Sequence, residues 1–152
     1  MARMHSRRKG KSRSVKPDRD GTPEWVSYTP QEIEEIIVKL AKDGNNPSKI
    51  GLILRDQYGV PDVQSILGMK VTAVLEKNNL GLKLPEDMQN LINKSVALMV
   101  HFEKHKKDRH NQRGLHLIES KIRRLTKYYI RSGKLPKDWR YDPAKARLLV
   151  SK

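Results

Sequence analysis

The sequence contains no cysteine, and this absence excludes several kinds of chemistry at once. Without thiols the chain has no disulfide, no thiolate nucleophile and no cysteine-based zinc site. Long apolar runs are also missing: no window approaches the roughly 18 consecutive apolar residues of a membrane-spanning helix. The basic N-terminus lacks the apolar stretch of a secretory signal. We therefore expect a cytosolic protein with no membrane partner.

Acidic residues are scarce relative to basic ones, and the imbalance is local. The chain has 32 Lys and Arg against 17 Asp and Glu, a formal net charge of +15. Residues 29–80 are nearly neutral, whereas residues 104–134 carry eleven basic and two acidic side chains. Residues 1–19 carry one acid and eight basic residues, namely Arg3, Arg7, Arg8, Lys9, Lys11, Arg13, Lys16 and Arg19. Such clustering indicates a polyanionic partner, foremost nucleic acid.

No window alternates apolar and polar residues as a strand would, so the pattern predicts an all-α protein. Apolar residues recur instead at helical spacing. Helices are predicted to start at Thr29-Pro30, Asn46-Pro47, Val60-Pro61, near Val71 and at Pro85. The pattern breaks around Arg109–Gly114, before another long helix from Leu115, and Asp142-Pro143 predicts a final short helix. Met1–Asp20 has too few apolar residues to form a core and is expected to be extended and disordered when free.

The most specific polar constellation is His101, His105 and Asp108, whose i, i+4, i+7 spacing predicts one helix face. A metal site is geometrically possible, but Lys104, Lys106 and Lys107 would repel a cation. A catalytic pair would lack a nucleophile nearby in the sequence. An ordinary solvated face remains an alternative. The basic surroundings favour contact with an RNA minor groove, where these groups can bond 2′-hydroxyls and guanine amino groups.

A second candidate site is the cationic set that flanks Tyr128 and Tyr129. Its members are Arg109, Arg113, Arg123, Arg124, Lys127 and Arg131. Such cations bind phosphates, and arginine planes or tyrosine rings stack on unpaired bases. A solvated helix face is the alternative, which the lack of compensating acids disfavours. The N-terminal arm fits a tail that threads between RNA helices, although a solubilising or localisation tail has the same composition.

Two other functions remain open from the residues alone. Ser48–Leu75 has the spacing of a helix-turn-helix, which would make the chain a basic architectural DNA-binding protein. The segment is nearly neutral, so this signal is weak. A basic scaffold that binds only proteins is the other alternative. Phosphate-binding glycine loops, nucleophile elbows and paired catalytic carboxylates are absent, so we expect no enzyme, no cofactor and no small-molecule substrate.

One stretch of the sequence resembles a known family. Residues 101–115, HFEKHKKDRHNQRGL, resemble the signature of the universal small-subunit ribosomal protein fifteen family. Arg123-Arg124-Leu125 and Tyr128 then follow at the family's spacing. The resemblance covers roughly Leu84–Val150. The opening residues, the region of Trp25 and the helices through Asn79 resemble the extension of the archaeal and eukaryotic branch, and the C-terminal end looks more archaeal.

The resemblance implies a fold and a set of partners. The implied fold is a helical hairpin bundle (81–152), here preceded by a smaller helical subdomain (29–80) and a basic extended arm (1–28). The implied partners are the central domain of small-subunit ribosomal RNA, bound at a helical junction and a nearby minor groove, and neighbouring ribosomal proteins. His101, His105 and Asp108 correspond to the family's minor-groove contacts, and Tyr128 to its aromatic contact near the junction.

The resemblance and the charge pattern together give one set of expected RNA-binding residues. Asn111 is included although the bacterial branch usually has Ser there, because an amide still forms hydrogen bonds. The predicted set is His101, His105, Asp108, Asn111, Arg113, Gly114, Arg123, Arg124, Lys127 and Tyr128, with Arg3, Arg7, Arg8, Lys9, Lys11 and Arg13 in the arm.

Overall fold

The computed structural model describes residues 23–150, which form helices joined by short connections. The α-helices are Pro30–Lys42 (α1), Pro47–Gln57 (α2), Val63–Leu67 (α3), Val71–Lys77 (α4), Glu86–Lys104 (α5) and Arg109–Arg131 (α6), and a 3₁₀ helix spans Ala146–Leu149. No strand occurs within this part of the chain. The predicted all-α class is confirmed. The basic arm, including all six of its candidate RNA-binding residues, lies outside the described residues.

The described chain divides into two compact units between Lys83 and Leu84. The division falls close to the predicted boundary at residues 80 and 81. The first unit (residues 23–83) contains α1 to α4, and the second unit (residues 84–150) contains α5, α6 and the 3₁₀ helix. Each unit has its own hydrophobic core.

The start of α1 follows the predicted capping box. The Glu32 backbone N–H donates to Thr29 Oγ1 at 3.4 Å, and the Thr29 backbone N–H donates to Glu32 Oε2 at 2.7 Å. The bond from the Thr29 backbone N–H first, and then a second one that the Thr29 hydroxyl donates to Glu32 Oε2 at 2.9 Å, lower the pKa of Glu32. Pro30 occupies the first helical position, where its missing N–H costs nothing. Ile33 and Ile37 are then fully buried in the first core.

The helices after α1 pack around the same first core. Ile50 and Leu54 of α2 and Val74 of α4 are fully buried there. The proposed helix-turn-helix is not supported, because α3 has only five residues. A recognition helix needs more length to reach base edges in a major groove.

The second unit is a hairpin of two long helices. Tyr129, near the end of α6, donates to Asp87, near the start of α5, so the two helices run antiparallel. Met88 and Ile92 of α5 pack in one core with Ile118 and Ile122 of α6. The predicted helical hairpin is thus confirmed.

The chain after α6 returns to cover α5. Tyr141 Oη and Ser95 Oγ share a hydrogen bond of 3.0 Å, and Gln89 donates to the Leu149 carbonyl oxygen at 2.6 Å. Burial is the main reason that the pKa of Tyr141 is raised. The predicted final helix is shorter than expected: Asp142 caps a turn through the Ala144 N–H, and only Ala146–Leu149 is helical, as 3₁₀.

The boundary between α5 and α6 corrects the sequence prediction. The helical break was expected around Arg109–Gly114, but it falls at residues 105–108, and Gly114 lies inside α6. Asp108 determines this boundary because its carboxylate caps the new helix. The sequence did not reveal this cap, because a run of charged residues has the same pattern in a helix and in a turn.

Candidate nucleic-acid interface

The turn at residues 105–108 holds the carboxylate of Asp108 in a fixed orientation. The Asn111 backbone N–H donates to Asp108 Oδ1 at 3.0 Å, and the Asn111 side-chain Nδ2 donates to Oδ2 at 2.7 Å. His101 Nε2 lies 3.1 Å from the same Oδ2. The Asn111 backbone bond first, then those from the His101 and Asn111 side chains, lower the pKa of Asp108 to about 2. The group is therefore an anion at neutral pH.

His101, His105 and Asp108 lie around this turn, but only the two histidines are related by helical spacing. The expectation that His101, His105 and Asp108 share one helix face is wrong: His105 is the C-cap of α5 and Asp108 the N-cap of α6. The His101 and His105 rings lie 4.5 Å apart, as their i, i+4 spacing predicts, and the change of direction brings Asp108 Oδ2 within 3.1 Å of His101 Nε2. His101 is about one-third exposed and His105 is exposed.

The hydrogen bonds determine which groups the turn offers to a ligand. An ionised carboxylate only accepts, at about four lone-pair positions. Three are used within the protein, two on Oδ2 and one on Oδ1, so one on Oδ1 is left for an external donor. Because Oδ2 only accepts, His101 Nε2 carries a proton, and Nδ1 is then the acceptor in the neutral ring. The turn thus offers an acceptor position on Asp108 Oδ1 to a ligand.

Cations line the solvent side of α6. Arg109, Arg113, Arg124 and Lys127 are exposed, and their spacing places them along one side of the helix. Arg123 is also exposed, and its Nη2 lies 3.6 Å from Oε2 of Glu119. Gly114 is a correction to the predicted set, because it is buried in the hairpin and has no surface to offer to RNA.

The two adjacent tyrosines of α6 have different roles. Tyr129 donates to both carboxylate oxygens of Asp87, at 2.8 and 2.7 Å, and so ties the two helices together. Burial and this acidic partner raise the pKa of Tyr129 to about 12. The Tyr128 ring packs edge-on against Tyr129, with centroids 5.1 Å apart, and is 60% exposed. Tyr129 thereby supports Tyr128, a role that sequence reasoning missed because it depends on the helix register.

Neither a metal cluster nor a membrane-spanning helix occurs in residues 23–150. This part of the chain contains no group of three or more His, Cys, Asp or Glu that could hold a metal ion. None of its helices is long and apolar enough to cross a membrane.

Comparison with known proteins shows that both family models matching the chain describe ribosomal proteins. The family model described as Ribosomal S13/S15 N-terminal domain matches residues 1–60, and the one described as Ribosomal protein S15 matches residues 71–149. The chain belongs to the ribosomal protein S15 family, which confirms the resemblance seen in the sequence.

The relatives are archaeal and match over nearly their whole length. The small ribosomal subunit protein uS15 of Methanocella arvoryzae is 50% identical over all of both chains. That of Hyperthermus butylicus is 54% identical over 95% of this chain and 90% of its own. That of Sulfolobus acidocaldarius is 51% identical over 95% of each. The archaeal resemblance and the cytoplasmic location expected of a ribosomal protein are both confirmed.

Proposed function

We propose that the chain is a structural constituent of the small ribosomal subunit and not an enzyme. It binds the central domain of small-subunit ribosomal RNA at a helical junction and an adjacent minor groove. The observation that carries this proposal is the Asp108 carboxylate, held at a turn by Asn111 and His101 with one acceptor position left over. The name that the relatives share, small ribosomal subunit protein uS15, supports the assembly.

The chemistry of the turn matches that of an RNA minor groove. In A-form RNA this groove is wide and shallow and displays 2′-hydroxyls, and the guanine amino group is its base-edge donor. Asp108 Oδ1 accepts from such a donor, and His101 Nδ1 accepts from a neighbouring hydroxyl. His105 adds a second imidazole beside them. A pre-oriented acceptor loses little entropy on binding, which favours recognition by shape.

The basic side of α6 supplies the contacts at the junction. Tyr128 stacks on an unpaired base there, while Arg124 and Lys127 bind phosphates. The support for this assignment is the exposure of Tyr128 and its fixed position against Tyr129. The residues of the arm add phosphate neutralisation along the RNA.

The two units differ in charge, and this difference supports different roles for them. Residues 84–150 carry sixteen basic and seven acidic side chains, whereas residues 23–83 carry seven basic and eight acidic. Attraction to phosphate therefore comes from the second unit and the arm. The nearly neutral first unit contacts neighbouring parts of the ribosome.

The test removes the charge of Asp108 and keeps its helix cap. Asn is as good an N-cap as Asp, so Asp108→Asn preserves α6. The full-length variant should bind a central-domain junction RNA about 5- to 150-fold more weakly, the range for one good base contact. The matched control is Asp138→Asn, an exposed carboxylate of the same unit outside the turn. Equal affinity of the folded Asp108→Asn protein and wild type would show that the charge of Asp108 does not contribute to RNA binding.

A further inference from the structure

Glu119 is the single acidic residue of α6, a helix that otherwise carries seven Lys and Arg. Its side chain is only 15% exposed, whereas that of Arg123, four residues later, is 63% exposed. Arg123 Nη2 lies 3.6 Å from Glu119 Oε2, and an acid that precedes a base by four residues is the favourable order for a pair on one helix. A largely covered carboxylate therefore contacts one end of an exposed guanidinium.

The chain that returns after α6 lies close to this pair. Burial contributes most to the raised pKa of Tyr141, and the Ser95 hydrogen bond lowers it; after these, the charge of Glu119 raises it and that of Arg123 lowers it. Both charges therefore lie near the tyrosine ring, whose Oη is 3.0 Å from Ser95 Oγ. Water and salt screen a covered carboxylate less than an exposed one, so Glu119 attracts its partner more firmly than a fully exposed acid would.

An ion pair of this kind contributes little to folding stability. Arg123 is mostly in water, and such pairs gain little beyond the entropy lost by ordering two long side chains. Covering the carboxylate also removes part of its hydration. Ordering an arginine has a different benefit, because a guanidinium that is already restricted gives up less freedom when it binds a ligand. The pair is therefore better suited to binding than to folding.

We propose that Glu119 is a positioning residue, which orients the Arg123 guanidinium toward a phosphate of the bound RNA. A guanidinium has five N–H donors in a planar fork, so the contact at Nη2 leaves other donors for a phosphate. Arg123 and Lys127 are four residues apart and are therefore neighbours on α6, which places Arg123 beside a proposed phosphate contact. The inference rests on the proposed function, since it assigns a further residue to the same RNA-binding helix.

The simpler role for Glu119, a reduction of positive charge, predicts an effect of opposite sign. If Glu119 only lowers the charge of α6, its removal raises the net charge by one and should strengthen RNA binding. A positioning role predicts weaker binding in spite of the added charge. Glu119→Gln separates the two roles, because Gln has the same length and keeps a side-chain oxygen but lacks the negative charge.

The test measures binding of the full-length protein to a central-domain junction RNA across a salt series. We expect Glu119→Gln to weaken binding by about 2- to 10-fold, the lower part of the range for residues that act together. Its salt slope should fall by up to about one, because the contact of Arg123 with a phosphate is impaired. Arg123→Ala should lower the slope by about one, and adding Glu119→Gln to it should weaken binding no further.

Glu103→Gln is the matched control. It removes the same charge and also breaks an ion pair with an arginine, Arg147, but this pair lies outside α6. It should leave RNA binding unchanged or slightly stronger, as expected for the loss of an acid alone. Thermal unfolding of each variant reports any loss of structure, and Glu119→Gln should unfold close to wild type because the pair contributes little to stability.

Four results would contradict the proposal. Glu119→Gln protein that binds RNA as tightly as wild type, or more tightly, would leave Glu119 as a diluted charge only. The same weakening in the Arg123→Ala background would show that Glu119 acts on something other than Arg123. An Arg123→Ala protein with unchanged affinity and slope would remove Arg123 from the interface, while the response of the junction RNA to Asp108→Asn would still stand. Failure of wild type to bind the junction RNA would instead overturn the proposed function.

Discussion

At the scale of single residues, Asp108 combines two tasks that usually fall to different side chains. It caps α6 through the Asn111 N–H, and it faces the turn with an acceptor position still open. His101 and Asn111 hold the carboxylate from both sides of the turn. If Asp108 contacts RNA as proposed, the helix boundary and the ligand contact depend on the same carboxylate, so a change in one should appear in the other.

The ionisation of Asp108 gives the first prediction at this scale. Its pKa of about 2, below the usual 3.8, means that its contribution to folding stability is present above about pH 4 and is lost as the pH falls towards 2. Titration of the side-chain carboxyl by NMR should give a midpoint near 2 in the free protein. Asn111→Ala should move this midpoint upwards, because it removes the side-chain bond. A midpoint that is near 4 in both proteins would show that the turn does not hold the carboxylate.

The sequence placed His105 on one helix face with Asp108, which the structure does not show. Substitution of His105 tests whether it belongs to the interface. Its ring lies against His101, whereas the side chains that bond the Asp108 carboxylate are those of His101 and Asn111. We expect His105→Ala to weaken binding to the junction RNA and to leave the Asp108 midpoint near 2, since the bonds to the carboxylate are unchanged. The measurement pairs an RNA titration with the NMR titration. An unchanged RNA affinity would exclude His105 from the interface.

At the scale of helices, most starts and stops could be predicted because local groups determine them. Thr29, Pro30 and Glu32 define the start of α1 within four residues of sequence. The α5–α6 boundary could not be predicted, because capping by Asp108 competes with a helical continuation that has the same charge pattern. The hydrogen bond from Tyr129 to Asp87 could not be predicted for another reason: it depends on the register of two antiparallel helices, and the two residues are 42 positions apart.

The capping box of α1 provides a test at this scale. Thr29→Ala should lower the free energy of unfolding by about 1 kcal/mol, because it leaves a helix N–H without its acceptor. Thr72→Ala is the matched control, since Thr72 is exposed inside α4 and Ala is the better helix former. Chemical denaturation of both variants measures the difference. Equal stability of the two would mean that the box does not hold α1.

The hydrogen bond from Tyr129 of α6 to Asp87 of α5 gives a prediction for alkaline solution. The pKa of Tyr129 is raised to about 12, so its contribution to stability is fully present below about pH 10 and is lost as the pH rises through 12. Phenolate absorbance should show late-titrating tyrosines, because the pKa values of Tyr129 and Tyr141 are both raised, and Tyr129→Phe should remove the one near 12 whereas Tyr128→Phe should not. If Tyr128→Phe removed it instead, the assignment of the two tyrosines would be reversed.

At the scale of the whole molecule, charge separates the parts of the chain. The first unit is nearly neutral, and the second unit and the arm hold the positive surplus. This division was evident from the sequence, because charge counts need no structure. Which residues converge at the turn, and which aromatic rings stay exposed, could not be predicted in the same way, since both depend on packing.

The arm has its own test at this scale. Replacing Arg7, Arg8 and Lys9 by Ala should make RNA affinity less dependent on salt, with the slope falling by about one for each phosphate that the arm no longer binds. The preference among RNAs should stay unchanged. The measurement is a salt series with two different RNA fragments. A changed preference with an unchanged slope would contradict a role in phosphate neutralisation.

We propose that the second unit recognises ribosomal RNA by shape and not by charge alone. We would measure binding of the full-length protein to a small-subunit central-domain junction RNA and to a DNA duplex of equal length, across a salt series. A protein with 6–10 phosphate contacts loses about 10³–10⁵ in affinity between 50 and 200 mM salt on either polymer, so the preference at the higher salt is decisive. We expect the junction RNA to remain strongly preferred there and Asp108→Asn to abolish most of the preference. Equal binding of RNA and DNA at the higher salt would contradict it and leave a generic polyanion binder.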